Sequence, residues 1–159
     1  MMRLTSFTDY SLRVLIHAAA QARARTTIGE IAGTYGISEH HLTKVVHFLG
    51  KSGFLRNVRG HGGGVELARP AAKIHIGDVV RAAEGAAVPA ECFEPGAAAC
   101  AIGKVCRLRG VLEEAVQAFY AVLDRYTLAD LVRNEVVLRR VLFSRAGRDT
   151  ASLRDAGGD

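Results

Sequence analysis

Two short helical patterns joined by a glycine constrain the fold of this 159-residue chain more than any other feature. Thr27 and Glu30 have the spacing of a capping box and begin a helix of about two turns. Gly36 then interrupts the pattern, where a sharp turn needs a residue that adopts positive φ. Ser38 can cap a second helix, which is predicted over about Glu39–Lys51. This arrangement is typical of a helix-turn-helix, whose second helix lies in the major groove of DNA.

A glycine-rich hairpin is predicted directly after the second helix. The segment FLRNV at residues 54–58 predicts one strand, and VEL at residues 65–67 predicts another. Glycines around His61 form the turn between them. A hairpin in this position is the wing of a winged helix. The glycines do not form a P-loop, because neither a following helix nor a Gly-Lys-Ser/Thr ending is present.

Helices are also predicted on both sides of this unit. One runs from residue 4 to about residue 22, and Thr5 or Ser6 can cap its start. The segment IGDVVRAAEG at residues 76–85 predicts a short helix after the wing. A last helix restarts at Thr127 and Asp130 and is predicted to run toward residue 142.

A longer helical pattern begins at Leu108, where apolar side chains repeat over about four turns. A helix of this kind, attached to a small basic domain, favours pairing with its own copy in a homodimer. Packing inside its own subunit is the alternative.

Positive charge is concentrated in the first part of the chain. The whole sequence has 21 Lys and Arg against 16 Asp and Glu, a net charge of +5. Residues 1–75 carry ten basic and four acidic side chains, a net +6, which leaves 11 basic and 12 acidic side chains, a net −1, for the rest. This asymmetry favours nucleic acid or another anionic partner over a merely basic surface. With no signal-peptide pattern and no run of 18 apolar residues, we expect a cytoplasmic protein without a membrane partner.

The candidate DNA-contacting side chains lie at the start of the second helix and on the wing. The helix offers Ser38, Glu39, His40, His41, Thr43 and Lys44, and the wing offers Arg59 and His61. A metal site at the two adjacent histidines is disfavoured, because neighbours on a helix point about 100° apart. Arg59 is suited to the minor groove, where negative potential attracts arginine, with a phosphate contact or simple solvation as the alternatives.

All three cysteines, Cys92, Cys100 and Cys106, fall within 15 residues. An odd number in a cytoplasmic chain disfavours disulfides and favours metal ligation or redox chemistry. The spacings of seven and five intervening residues differ from the two-residue spacing of zinc knuckles, and wider loops suit an iron–sulfur cluster. A fourth ligand must then be a carboxylate, a histidine or a small molecule. No catalytic motif is present in the sequence, so an enzyme is not expected.

Several segments together resemble the NsrR family of nitric-oxide-sensing iron–sulfur repressors, in the Rrf group of winged-helix regulators that also includes IscR and RirA. These segments are RLTSFTDYSLRVLI, YGISEHHLTKVV, VRGHGGGVELARP, IGDVVRAAEG, the three cysteines and YTLADLV. The resemblance covers about residues 2–142. It implies a homodimeric repressor of promoter DNA that carries one cluster per subunit, a [4Fe-4S] cluster with [2Fe-2S] as the alternative.

The same resemblance implies a ligand set for the cluster. The three cysteines hold it, and Asp9 in the first helix supplies the fourth ligand from the partner subunit. The alternative for Asp9 is a carboxylate that interacts with the helix dipole. Nitric oxide is the implied effector, and its reaction with the cluster releases the DNA.

The spacing of the first two cysteines departs from some NsrR and IscR members, and this keeps an iron-responsive or cluster-status regulator of the RirA/IscR type open. An electron-transfer protein is disfavoured by the basic first half and the wing, and a zinc-stabilised DNA-binding module is a further alternative. The expected fold is mainly α. Its parts are a winged helix-turn-helix domain (1–75), a connector helix with the cluster loop (76–107), a dimerisation helix with a C-terminal helix (108–143) and a disordered tail (144–159).

Overall fold

The computed structural model describes residues 4–21, 25–85, 90–93, 100–103 and 105–144. The structure is mainly helical with one two-stranded sheet, as the sequence predicts. The elements in chain order are α1 (Ser6–Ala20), α2 (Ile28–Tyr35), α3 (Glu39–Lys51), β1 (Leu55–Val58), β2 (Gly64–Leu67), α4 (Ile76–Glu84), α5 (Leu108–Leu123), α6 (Leu128–Leu131) and α7 (Glu135–Ser144). No helix in the described ranges has both the length and the hydropathy needed to cross a membrane.

Local hydrogen bonds define the helix-turn-helix. The N–H of Thr27 donates to Glu30 Oε2 (2.7 Å), and the N–H of Glu30 donates to Thr27 Oγ1 (3.2 Å), which confirms the capping box. The hydrogen bonds that the N–H and the hydroxyl of Thr27 donate to the Glu30 carboxylate hold the pKa of that carboxyl below its usual range. Gly36 ends α2 at φ 65°, and the Ser38 hydroxyl caps α3 by accepting from the N–H of His41. The predicted helices and turn are therefore confirmed.

The wing is an antiparallel hairpin in which Leu55 pairs with Leu67 and Val58 with Gly64. An isolated bridge between Thr26 and Val65 ties the segment before α2 to this hairpin. The turn closes where the N–H of Gly63 donates to the carbonyl oxygen of Gly60 (2.9 Å). A β-carbon at position 63 would lie 2.8 Å from that oxygen, so the turn requires glycine there.

One hydrophobic core joins the winged helix to the later helices. Leu15 from α1, Leu42 from α3 and Val79 from α4 are fully buried in it, together with Leu128 from α6. Each such side chain contributes about 1.5–3 kcal/mol through removal of apolar surface from water. The helix after the wing is therefore part of the same body as the helix-turn-helix.

Two helix predictions need correction. The first helix ends at Ala20 rather than at about residue 22, and it begins at Ser6 after the Thr5 cap. The predicted single helix from Thr127 toward Leu142 is wrong, because the chain forms α6, a turn at residues 132–134 and then α7. The N–H of Val132 bonds to Ala129 three residues back and ends α6. The break lets Leu128 and Leu142 both reach buried positions. Residues 145–159 of the predicted tail lie outside the described residues.

His17 is a buried polar side chain that the sequence patterns do not reveal. It is fully buried in α1, with its ring 5.9 Å from that of Tyr35 and 5.1 Å from that of Phe143. Neither ring nitrogen has a hydrogen-bond partner among the described residues. Burial lowers the pKa of His17 below its ordinary value of 6.5, and the charge of Glu30 opposes this only in part.

The free energy of unfolding should therefore fall as the pH drops below about 6.5, because the unfolded chain then binds a proton that folded His17 does not. In a His17→Leu variant we expect a weaker pH dependence and a gain of about 1 kcal/mol, since an unsatisfied buried group is removed at the loss of two aromatic contacts. Urea unfolding at pH 7.5 and 5.5 measures both quantities. His47→Leu, at an exposed position on α3, is the control. Equal pH dependence in His17→Leu and the parent would contradict the prediction.

Candidate DNA-binding surface and cysteine loop

The two faces of α3 differ sharply in exposure. Leu42, Val45, Val46 and Leu49 are buried against the core, which turns the rest of the helix toward solvent. The predicted contact residues are all exposed: Ser38, Glu39, His40, His41, Thr43 and Lys44. The hydroxyl of Thr43 donates to the carbonyl oxygen of Glu39 (2.8 Å), and that of Ser38 serves the helix cap. The side chains of His40, His41 and Lys44 are the ones that extend without such helix bonds.

The wing presents a second basic surface. Arg59 and His61 are both exposed at its tip. Arg25 donates from Nη1 to the carbonyl oxygen of Gly62 (3.2 Å), which ties the tip to the segment before α2.

A pair of arginines shares one carboxylate beside this tip. Arg56 lies 2.6 Å from Glu66 Oε1 across the hairpin, and Arg25 lies 3.4 Å from Glu66 Oε2. The hydrogen bond from Arg56 and the charge of both arginines hold the pKa of Glu66 below its usual range. No sequence pattern singles out this network. Strand register could have indicated the Arg56 half, because Arg56 pairs directly with Glu66, but the contact of Arg25 arises only from tertiary packing.

The three cysteines lie on the connection between α4 and α5. Cys92 is exposed in a short 3₁₀ turn (Glu91–Phe93), Cys100 is exposed, and Cys106 is half-buried just before α5. The Arg109 guanidinium lies 5.2 Å from the centre of the Phe93 ring, so the turn that carries Cys92 contacts the start of α5. All three thiols are free.

The described residues contain no group of three His, Cys, Asp or Glu side chains close enough together to hold a metal ion. The structure therefore does not assemble the three cysteines into a preformed site. Their chemistry nevertheless fits an iron–sulfur cluster, because clusters are held by thiolates and three accessible thiols share one loop. Residues 86–89, 94–99 and 104, which complete this loop, lie outside the described residues.

Asp9 lies in the first turn of α1, where it forms an ion pair with Arg13. Arg13 Nη2 lies 2.9 Å from Asp9 Oδ2, and Arg13 Nε donates to Oδ1 (3.1 Å). The Asp9 side chain is 45% exposed. Within its own chain it is not brought to the cysteines, and its carboxylate remains accessible from outside.

Glu84 was not singled out by the sequence patterns, yet it joins the cysteine loop to α1. It is the last residue of α4, and its Oε1 accepts from the N–H (2.9 Å) and the hydroxyl (3.0 Å) of Thr5, the cap of α1. Burial opposes ionisation of Glu84, but hydrogen bonds from Thr8 and Thr5 hold its pKa below the usual range. The end of α4, where the loop begins, is thus bound to the helix that carries Asp9.

Within the described ranges, large hydrophobic side chains are exposed in the later part of the chain. No residue of α5 is buried, and Val111 on this helix is 59% exposed. Among the described residues, the exposed large hydrophobics all follow Cys100: Ile102, Val105, Leu108, Val111, Val122, Tyr126, Leu131, Val136, Val137 and Val141. Exposed apolar surface of this extent marks an interaction site.

A helix-turn-helix followed by a hairpin, with basic side chains exposed on both, defines a winged-helix DNA-binding protein. The family model described as Rrf2, iron-dependent transcriptional regulator, matches residues 4–134. The chain belongs to this family of transcriptional regulators.

The similar curated proteins include two HTH-type transcriptional regulators named NsrR. The one from Geobacillus kaustophilus is 46% identical over 147 residues, which cover 92% of this chain and 100% of the relative. The one from Bacillus subtilis is 46% identical over 142 residues, which cover 89% of this chain and 97% of the relative. The resemblance to the NsrR family is therefore confirmed.

Solved structures of the same fold are also similar. IscR of T. potens superposes with a TM-score of 0.68 at 25% identity, over 84% of this chain and 88% of that one. CymR of B. subtilis, the global cysteine regulator, superposes with a TM-score of 0.65 at 30% identity, over 84% and 98% of the two chains. The predicted winged-helix fold is confirmed.

Proposed function

We propose that this regulator is a cytoplasmic homodimeric repressor whose affinity for promoter DNA is controlled by an iron–sulfur cluster that senses nitric oxide. The observation that carries the proposal is the position of the cysteine loop. It begins at the end of α4, which is bound to the cap of α1, and it ends at the start of α5. A change in the loop therefore acts on both the winged helix and the apolar helix.

Cys92, Cys100 and Cys106 are the proposed cluster ligands. Thiolates are the usual ligands of iron in such clusters, and the loop has no competing disulfide. We favour [4Fe-4S], with [2Fe-2S] as the alternative. The bound cluster would supply irons that react with nitric oxide. The role of the protein chain is to hold the loop in one conformation while the cluster is intact.

The proposed homodimer rests on α5. Its exposed apolar side chains would bury one another against the same surface of a second copy, as a two-fold interface requires. We propose that the domain limits predicted from the sequence correspond to three separate roles. Residues 1–75 bind DNA, residues 76–107 hold the cluster, and residues 108–143 hold the dimer together.

The proposed DNA contacts are Ser38, His40, His41, Thr43 and Lys44 in the major groove and Arg59 and His61 on the wing. All are exposed on the two basic surfaces. Such binding should weaken steeply with salt, because phosphate contacts displace counterions.

Arg59→Ala tests this surface. We expect the variant to lose about 1–3 kcal/mol of binding free energy if Arg59 contacts a base edge, and less, with a smaller salt slope, if it contacts only phosphate. Fluorescence anisotropy with duplexes that the parent selects from a random-sequence library, at several salt concentrations, measures both. Arg139→Ala, which removes the same charge from the exposed face of α7, is the control. Binding that is insensitive to salt would overturn the proposed function.

Asp9 is the proposed fourth ligand, supplied to the cluster of the partner subunit. Its carboxylate is accessible, and a carboxylate binds iron more weakly than a thiolate, which leaves a corner open to a small molecule. Arg13 holds the carboxylate in place in the absence of this contact.

For Asp9→Ala we expect an altered visible spectrum, less DNA affinity, and a changed response to nitric oxide, because one cluster ligand and one link between subunits are lost. Arg13→Gln is the control, since it removes the ion pair and keeps the carboxylate. An unchanged spectrum, affinity and response would show that Asp9 only interacts with the helix terminus.

An iron-responsive regulator of the RirA/IscR type is the second candidate, favoured by the seven residues between Cys92 and Cys100 and by the iron dependence in the family description. Titration with nitric oxide and with an iron chelator separates the two. A cluster that ignores nitric oxide and is lost on iron depletion would favour the second candidate.

A further inference from the structure

The end of α5 meets the start of α4 in a compact joint. The N–H of Ile76 donates to the carbonyl oxygen of Tyr126 (3.0 Å), and the N–H of Leu128 donates to that of Ile74 (2.8 Å). His75 Nδ1 lies 3.1 Å from the carbonyl oxygen of Asp124. The two helices that flank the cysteine loop are therefore fastened at the ends away from that loop.

Arg81 lies at the centre of this joint. Its Nη1 donates to Asp124 Oδ1 (2.8 Å), and its Nη2 donates to Asp124 Oδ2. The guanidinium carbon also lies 4.6 Å from the centre of the Tyr120 ring, and Arg81 Nη1 lies 3.5 Å from Asp78 Oδ1. A β-carbon at Gly77 would overlap the Asp124 carboxylate, so glycine is required for this approach.

These contacts restrain the orientation of α4 relative to α5 as well as the distance between the two helices. A guanidinium that bonds a carboxylate through two parallel bonds and stacks on a ring is restrained in both distance and plane. The Arg81 guanidinium also holds the pKa of the Asp124 carboxyl below its usual range, so the pair stays charged.

The geometry of α5 amplifies any change at this joint. Phe119, Tyr120 and Leu123, near its end, pack against the core, whereas Leu108 and Val111, near its start, are exposed. A helix of 16 residues is about 24 Å long, so a rotation of about 10° at the joint moves its far end by about 4 Å. The two half-sites of a dimeric regulator lie about 34 Å apart and tolerate little change in that separation.

We propose that Arg81 is a positioning residue: with Asp124 and Tyr120 it sets the angle between α4 and α5, and thereby the separation of the two α3 helices in the dimer. The proposal rests on the proposed function, because it needs a dimer that binds two half-sites. Arg81 is the residue through which rearrangement of the cysteine loop changes that separation.

A merely structural role makes a different prediction. Arg81 and Asp124 are each 43% exposed, and an exposed ion pair contributes little to stability. Their loss should then leave DNA recognition unaltered or weaken binding to every site equally. A positioning role instead predicts a change in the preferred spacing of half-sites.

The test compares Arg81→Gln, Arg81→Lys and Asp124→Asn with the parent, each as the whole 159-residue chain purified without oxygen. The probes are duplexes whose two half-sites, selected by the parent, are separated by the selected distance or by one or two base pairs more or fewer. We expect the affinity ratio between the selected and shifted spacings to fall at least five-fold in Arg81→Gln and Asp124→Asn. Arg81→Lys should be intermediate, because it keeps the charge and loses the paired bonds. A variant that combines Arg81→Gln with Asp124→Asn should lower this ratio no further than either single substitution does.

Glu135→Gln is the matched control, since Glu135 pairs with Arg139 within α7 and spans no joint. It should retain the ratio of the parent. An unchanged ratio in Arg81→Gln, or an equal loss of affinity at all spacings, would overturn the proposal.

A second measurement separates failure of the proposal from failure of the proposed function. Genetically encoded spin-label residues at Lys51 and Glu114, diluted with unlabelled chain, report the distance between α3 and α5 within one subunit. We expect a narrow distance distribution in the parent and one at least twice as broad in Arg81→Gln. An unchanged width would overturn the positioning role even if no spacing preference existed. If the distribution broadens in Arg81→Gln but the parent binds no DNA, only the proposed function is contradicted.

Discussion

Replacing Cys100 with alanine should leave protein purified without oxygen almost devoid of iron and sulfide. Two cysteines and the weaker Asp9 carboxylate cannot hold a cluster that has lost one of its three thiolates, so assembly fails or the cluster is lost during purification. Because Cys100 is exposed, the substitution removes no buried surface and the fold should be retained. Iron and sulfide analysis and the visible spectrum measure the amount of cluster, and circular dichroism measures retention of the fold.

Ala101→Ser, at the neighbouring exposed position, is the control for disturbance of the loop itself. It should keep the iron and sulfide content of the parent. The same loss is expected for Cys92→Ala and Cys106→Ala. A Cys100→Ala protein with full iron and sulfide would remove this residue from the proposed ligand set, and zinc in place of iron in the parent would exclude the cluster.

A single charge on the apolar face of α5 should dissociate the proposed dimer. In Val111→Glu, two like charges would face each other near the two-fold axis without water. In the isolated subunit position 111 is 59% exposed, so the charge would lower the free energy of unfolding only slightly. A monomer holds only one half-site, so we expect DNA affinity to fall by about 10²- to 10⁴-fold, the usual gain from linking two binding units. Light scattering and DNA titration measure the two effects.

Gln117→Glu adds the same charge to an exposed position about 120° around α5 from Val111 and is the matched control. It should remain dimeric and bind DNA as the parent does. If Val111→Glu is still a dimer at micromolar concentration, α5 does not form the interface through this face.

The helix-turn-helix could be predicted because its determinants are local. The capping box at Thr27 and Glu30, the positive φ of Gly36 and the Ser38 cap each depend on bonds over three or four residues. Such bonds are specified by neighbours in the chain and therefore by the sequence alone. The same holds for the wing, where glycines restrict the turn and thereby the strand register.

The cysteine loop shows how far sequence reasoning extends to the site. Confinement of three thiols to 15 residues predicts that they bind one metal centre. In the structure all three are free, two exposed and one half-buried, which agrees with that chemistry. The assembly of the thiols stays a prediction, because it depends on loop conformation and on a second subunit. The role of Asp9 stays a prediction for the same reason.

The sequence by itself determined the helix-turn-helix, the wing and the exposure of the predicted contact residues, since local hydrogen bonds and the apolar face of α3 suffice for these, whereas the DNA contacts and the metal ligands stay predictions. Only the tertiary structure decided that Glu84 binds the cap of α1, that His17 is buried against Phe143, that the last helix breaks at residues 132–134, and that Arg81 joins Asp124. The three contacts join residues that are 43 or more positions apart. Single-sequence periodicity carries no information about which distant side chains meet when several helices share one core.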